Sequence, residues 1–307
     1  MLLGVKQALG DDIENAFRTV GITHIVVLSG YNVMLVVAFI LYLLAIVLPL
    51  RLRLIFGAVA VVLFACMVGL SATVMRASTM AVLVLIAKAT GRTYAVTRAL
   101  VLTGVLMLLI NPYLLVYDVG FQLSFVATLG LILLAPSIEK HLRFMPVTFG
   151  MREFLTATLS AQIFVMPILL YQIGQFSVVA VVVNILVLPV VPFAMLLTFI
   201  SGIVGFISVQ LSLPFAYLAS LSLSYILYVA QKFALLPFAS FIIPAFPFYV
   251  VVLTYGVLGA LLFYARTRGS IKTEPLSDWA IEDEEAFIED LLKTKTVTHV
   301  QTPIFFR

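Results

Sequence analysis

The chain has 307 residues, of which 63% are apolar or aromatic and only 10% charged. A soluble domain carries roughly 25% charged residues, and a single hydrophobic core stops growing at about this length, so a water-soluble fold and a disordered chain are both excluded. The apolar runs are continuous, where the strands of a membrane β-barrel would alternate apolar and polar residues. The net charge of +4 is uneven: residues 1–273 hold fifteen basic and six acidic residues, and residues 274–307 hold three and eight. These features predict an all-α polytopic membrane helix bundle. The single cysteine, Cys66, has no partner for an internal disulfide.

Residues 1–20 carry Val5, Leu9, Ile13 and Phe17 at steps of four, with Lys6, Asp11, Asp12, Glu14 and Arg18 between them. This spacing predicts an amphipathic helix rather than a secretory leader. It would either lie on the membrane surface or lid the first span. A crossing needs roughly 20 apolar residues, and about nine stretches qualify: 22–48, 54–70, 73–91, 99–116, 119–135, 154–171, 178–199, 213–236 and 248–264. Residues 154–231 contain no charged side chain, so their boundaries are poorly marked. The segment 238–247, flanked or interrupted by Pro237, Pro244 and Pro247, reads as a re-entrant piece or surface loop. Three regions follow: the segment 1–20, a membrane domain 21–265, and a polar, acidic tail 266–307.

Lysine and arginine collect on the cytoplasmic side of membrane proteins. With the N-terminus outside, Arg51, Arg53, Lys88, Arg92, Arg98, Lys140, Arg143, Arg152, Arg266, Arg268 and Lys272 fall inside. Only Lys6, Arg18, Arg76 and Lys232 fall outside. The count predicts an N-out, C-in protein. In the tail, Leu276, Trp279, Phe287, Ile288, Leu291 and Leu292 fit one face of a short acidic helix, either solvated or docked on a partner.

No phosphate loop, H-E-x-x-H or G-x-S-x-G motif occurs. The three histidines, His24, His141 and His299, lie in unrelated regions, so no metal site or other cofactor is expected. Nothing in the chain reads as an enzyme or as a motor.

Polar groups inside apolar spans are costly and therefore informative. The first span holds His24, Ser29, Gly30 and Asn32, and the Ser29-Gly30 pair favours a break in the helix. Arg76 must lie inside the third span, because the apolar stretch from it to Lys88 is too short to cross. Asp118 begins the fifth span on the same side, so the two either pair or flank one outer vestibule. Gln122 and Ser124 follow in the fifth span, Gln162 and Pro167 in the sixth, and Asn184 ahead of Pro189 and Pro192 in the seventh. Together they outline a shared polar pathway or, alternatively, scattered interhelical hydrogen bonding.

Four segments then fit one family in order. Gly21-Ile22-Thr23-His24 with Leu28-Ser29-Gly30-Tyr31-Asn32 resembles the G-x-x-H-L-x-A-I-S-G-x-H signature of the ComEC-type competence family. Gly69-Leu70-Ser71 with Arg76-Ala77 is similar to its G-x-S-x-x-x-x-R-A segment. Asn111-Pro112 and Gly120-Phe121-Gln122-Leu123-Ser124-Phe125 resemble its D-P and G-F-Q-L-S-F segments. Ala161-Gln162, Pro167, Phe176-Ser177, Asn184 and Pro189 complete the series. Asn32 stands where the signature has a second histidine, and Asn111 where it has aspartate.

The resemblance, over roughly residues 4–265, implies a channel carrying single-stranded DNA across the cytoplasmic membrane during transformation. It does not extend to the OB-like and metallo-β-lactamase-like domains of longer members, so nuclease activity is not expected here. Those soluble components would be separate partners. A strand moving toward a negative interior works against roughly 2.3 kcal/mol per charge per 100 mV. A cytoplasmic helicase or strand-binding protein is therefore the expected source of direction. Arg76 with Tyr31, Tyr113, Tyr117, Phe121 and Phe125 would supply the basic and stacking groups that single strands need. A protein of the same fold that moves another anion, or acts as an assembly scaffold, is the competing expectation.

Overall fold

The computed structural model describes residues 10–26, 30–142 and 151–267. Ser29, Arg143 and the tail from residue 268 lie outside them. The described chain is a bundle of α-helices with one small two-stranded ribbon. Five helices are long and apolar enough to cross a membrane: Ala72–Thr90 (α5), Val119–His141 (α8), Met151–Ile173 (α9), Val190–Ile207 (α11) and Val209–Ala234 (α12). Shorter apolar helices lie within Gly30–Val47 (α3), Leu50–Val68 (α4), Val96–Ile110 (α6) and Phe248–Thr267 (α13).

The N-terminal helix Asp11–Val20 (α1) has Asp11, Asp12 and Glu14 in its first turn and Arg18 in its last, the distribution that suits the helix dipole. It is more than a surface float. Phe17 and Val20 are buried in a core with Ile22, Ile25, Val183, Val187, Val191, Ile226 and Val229, so the helix is packed into the bundle. Gly21 ends it at φ 75°, and a Cβ there would stand 2.9 Å from that of Ala180. Both the left-handed backbone and the close approach require glycine.

Two expected spans are interrupted where the sequence carries proline or asparagine. In the first span the short helix Thr23–Val26 (α2) and α3 stand on either side of residues 27–29, which lie outside the described residues. The expected 99–116 crossing ends at Ile110, because Asn111 turns extended before Pro112. A four-residue helix, Leu114–Tyr117 (α7), follows. The expected 178–199 crossing is displaced: Ala180–Val187 (α10) kinks into α11 at Pro189, and the helix continues to Ile207. The true turn is the extended Ser208. It could not be seen in a charge-free block where only apolar length marks the ends.

Short loops make consecutive helices antiparallel, and α3/α4, α4/α5, α5/α6, α8/α9 and α11/α12 pack as neighbours. The N-termini of α3, α5 and α8 therefore share one end of the bundle. The segment expected to be re-entrant forms Ser240–Ile242 (β2), paired antiparallel with Gln175–Ser177 (β1) in the register Phe176 to Phe241. This ribbon places the ends of α9 and α12 at a common end. Gly130 brings α8 against α9: a Cβ there would fall 2.6 Å from the Ser160 carbonyl oxygen. In α9, Pro167 removes a backbone donor. One turn before it the Tyr255 hydroxyl of α13 donates to the Phe164 carbonyl at 2.7 Å.

Candidate functional site

Arg76 sits on the second turn of α5, partly buried inside the bundle. Its Nε donates to the Ser124 hydroxyl of α8 at 2.5 Å, and its Nη1 lies 3.5 Å from the Met80 sulfur one turn along α5. Its Nη2 rests on Gly30 at the start of α3, where a Cβ would be only 2.6 Å away. Three helices thus meet at one guanidinium, and α5 and α8 meet it near their N-termini, the positive ends of their helix dipoles. Among the described residues no carboxylate lies within ion-pair distance of Arg76. A cation in this setting is short of negative charge.

Of the two arrangements expected for Arg76 and Asp118, the ion pair does not form among the described residues. Asp118 is the N-cap of α8, and its carboxylate accepts the backbone N–H of Phe121 at 2.6 Å. That is the ordinary use of aspartate ahead of a helix. The signal was in the sequence, an aspartate directly before an apolar run. Gln122 is likewise committed nearby. Its amide donates to the carbonyls of Leu115 and Val116 at 2.9 and 3.1 Å, and its oxygen accepts from Gln172 of α9 at 3.3 Å. It pins α7 to the mouth of the α8/α9 hairpin. Gln172 and Met80 were not among the expected site residues. Met80 is readable as the i+4 neighbour of Arg76, but Gln172 is brought in only by the fold.

Asn32 is buried on α3, with its amide 3.4 Å from the carbonyl of Ile25 on α2. Asn184 is buried on α10, and its side-chain oxygen has no hydrogen-bond partner among the described residues. The Gln162 oxygen on α9 is in the same condition. His24 is exposed on α2. Of the expected stacking aromatics, Phe121 is buried and stacked on Phe125 at 4.3 Å between ring centroids, leaving no open face for a base. Tyr113 and Tyr117 are 70% and 77% exposed, with ring centroids 6.2 Å apart. The side chain of Tyr31 is not among those described. Of the expected residues, the fold unites Arg76, Ser124 and Gly30. It gives Asp118 and Gln122 partners of their own near the same end, and places Gln162 and Asn184 on other helices.

Elsewhere, an open groove of about 410 Å³ runs between α11 and α12, lined by Thr198, Ser201, Ser220, Ser224 and small or branched apolar residues. Among the described residues no group of three or more His, Cys, Asp or Glu could hold a metal ion.

The family model described as Competence protein matches residues 1–268. ComE operon protein 3 of Bacillus subtilis (strain 168) is 28% identical over 209 residues, covering 66% of this chain and 25% of the relative. The chain thus spans about a quarter of that protein's length. No solved structure matches it. The chain belongs to the competence protein family and is an all-α protein with several apolar, membrane-length helices.

Proposed function

We propose that this competence-family chain is the membrane conduit for a single DNA strand, passive in itself and directed by partners. The observation that carries the reading is Arg76, an intramembrane cation without a described carboxylate partner where the N-termini of α5 and α8 meet Gly30 of α3. An ionisable residue in a span marks a pathway more often than a lipid contact, and a strand carries one phosphate charge per nucleotide. Tyr113 and Tyr117, exposed at the same end, offer faces on which bases stack.

In this reading all nine apolar helices or kinked pairs cross the cytoplasmic membrane. The Arg76 end faces outward, and the ends bearing Lys88, Arg92, Arg98, Lys140 and Arg152 face the cytoplasm. Direction comes from a cytoplasmic helicase or strand-binding protein. The chain performs no chemistry of its own.

Purified chain in liposomes holding a trapped strand-binding protein tests this. Single-stranded DNA accumulates inside and duplex DNA does not, with binding that weakens steeply as salt rises. No strand affinity at low salt removes the reading. A carrier of another small anion is distinguished by competition: a small anion that passes while strands do not replaces the strand as cargo. Orientation is tested in a Cys66→Ser background with single cysteines. A membrane-impermeant thiol reagent applied outside labels Tyr113→Cys and spares Arg92→Cys; the reverse pattern inverts the topology.

A further inference from the structure

The atoms around Arg76 specify more than a positive charge. A guanidinium presents five N–H donors in a planar fork. Here Nε–H is spent on the Ser124 oxygen, and Nη1 faces the Met80 sulfur, a weak acceptor. The four N–H donors of Nη1 and Nη2 therefore have no oxygen acceptor among the described residues. Nη2 fits against α3 only because residue 30 has no Cβ. Ser124 holds the fork through Nε, and the terminal nitrogens of a guanidinium donate to a tetrahedral oxyanion in bidentate fashion.

We propose that Arg76, berthed on Gly30 and oriented by Ser124, is a seat for one phosphodiester monoanion. The strand-conduit reading is needed only for the source of that phosphodiester, a nucleic-acid backbone rather than a lipid headgroup. Gly30 is the positioning residue. A methyl group there meets the far end of a flexible side chain rather than backbone, so Gly30→Ala displaces the fork while the helices stay packed. Lysine at position 76 keeps the charge but loses the planar fork.

The test uses the full chain in detergent micelles and fluorescence anisotropy of a labelled ten-nucleotide oligothymidylate. Its probes are this oligomer, the same oligomer with uncharged methylphosphonate linkages, the dinucleotide TpT, and water-soluble dihexanoyl phosphatidylglycerol. Size-exclusion profile and thermal midpoint control for folding. The charged oligomer binds, the methylphosphonate oligomer does not, and affinity falls about tenfold or more in Arg76→Gln, Arg76→Lys and Gly30→Ala. Asp118→Asn binds as the parent does. Equal affinity in Arg76→Lys and the parent, or equal binding of charged and uncharged oligomers, overturns the seat. Should Gly30→Ala fail its folding control, the lysine variant decides alone.

Competition identifies the source. Displacement by TpT at lower concentration than by the lipid supports a strand, whereas the reverse order overturns the strand assignment in favour of a headgroup. Arg76-dependent binding without strand flux in liposomes leaves the seat and removes the conduit. Flux that is indifferent to Arg76 does the opposite.

Discussion

Helices α5 and α11 are of nearly equal length, 19 and 18 residues, yet they live in different solvents. In α5, 44% of the membrane-length window is buried by protein, and the helix carries Arg76, Ser78 and Lys88. In α11 only 17% is buried, no residue is charged, and Phe193, Ile203 and Phe206 stand exposed. The usual association of burial with apolarity is thus reversed. A side chain facing other helices can find a partner, whereas one facing lipid finds only hydrocarbon, so the most enclosed helix carries the charge.

The strongest way to break this comparison is to move a charge to the lipid side. Leu196→Lys, in the middle of α11 and 41% exposed, costs about 2.5–3.5 kcal/mol of insertion free energy. It reduces the inserted fraction in a glycosylation-mapping assay. The reverse exchange, Arg76→Leu, leaves insertion at least as efficient while strand binding drops by about 1.5–3 kcal/mol, the worth of hydrogen bonds to a charged group. Equal insertion losses in both would show that protein burial does not explain where the charges sit.

Packing offers a smaller but sharper test. Gly130→Ala puts a methyl group within 2.6–2.7 Å of the Ser160 carbonyl and the Phe164 Cβ. Because the nearest obstacle is backbone, α8 and α9 must separate, and stability falls by about 1–3 kcal/mol, read as a lower thermal midpoint in detergent. On lipid-facing α11, a Cβ added at Gly202 would meet nothing within 4 Å, so Gly202→Ala leaves the midpoint unchanged or slightly raised.

The smallest expected effects separate capping from conduction. Asp118→Ala removes the N-cap of α8 and costs about 0.5–2 kcal/mol, while Asp118→Asn keeps an accepting oxygen and costs far less. Neither changes strand affinity beyond what the loss of folded protein explains. Tyr255→Phe releases the Phe164 carbonyl and lowers stability by about 0.5–1.5 kcal/mol, again visible in the thermal midpoint.

Much of the architecture was legible because charge starvation leaves few choices. With so few ionisable residues, each one marks a helix end, a cap or a buried site, and Arg76 stands out for that reason. Opposite charges at one end, Arg76 and Asp118, suggest a pair that the fold does not make. The backbone of Phe121, three residues from Asp118, had the prior claim on its carboxylate. Gln122 follows the same pattern, since the carbonyls it serves belong to a four-residue helix hidden inside an expected span.

The chain's solvent is a property of composition. A bilayer admits only closed backbone hydrogen bonding, so a chain this apolar had to become a helix bundle whatever its topology. Partnership is a property of three dimensions. Ser124 lies 48 residues beyond Arg76, and Gly30 is on a helix reached only after the chain has crossed and returned. No periodicity encodes a meeting at such separations. Packing alone decided that the guanidinium would find a distant hydroxyl and a bare glycine.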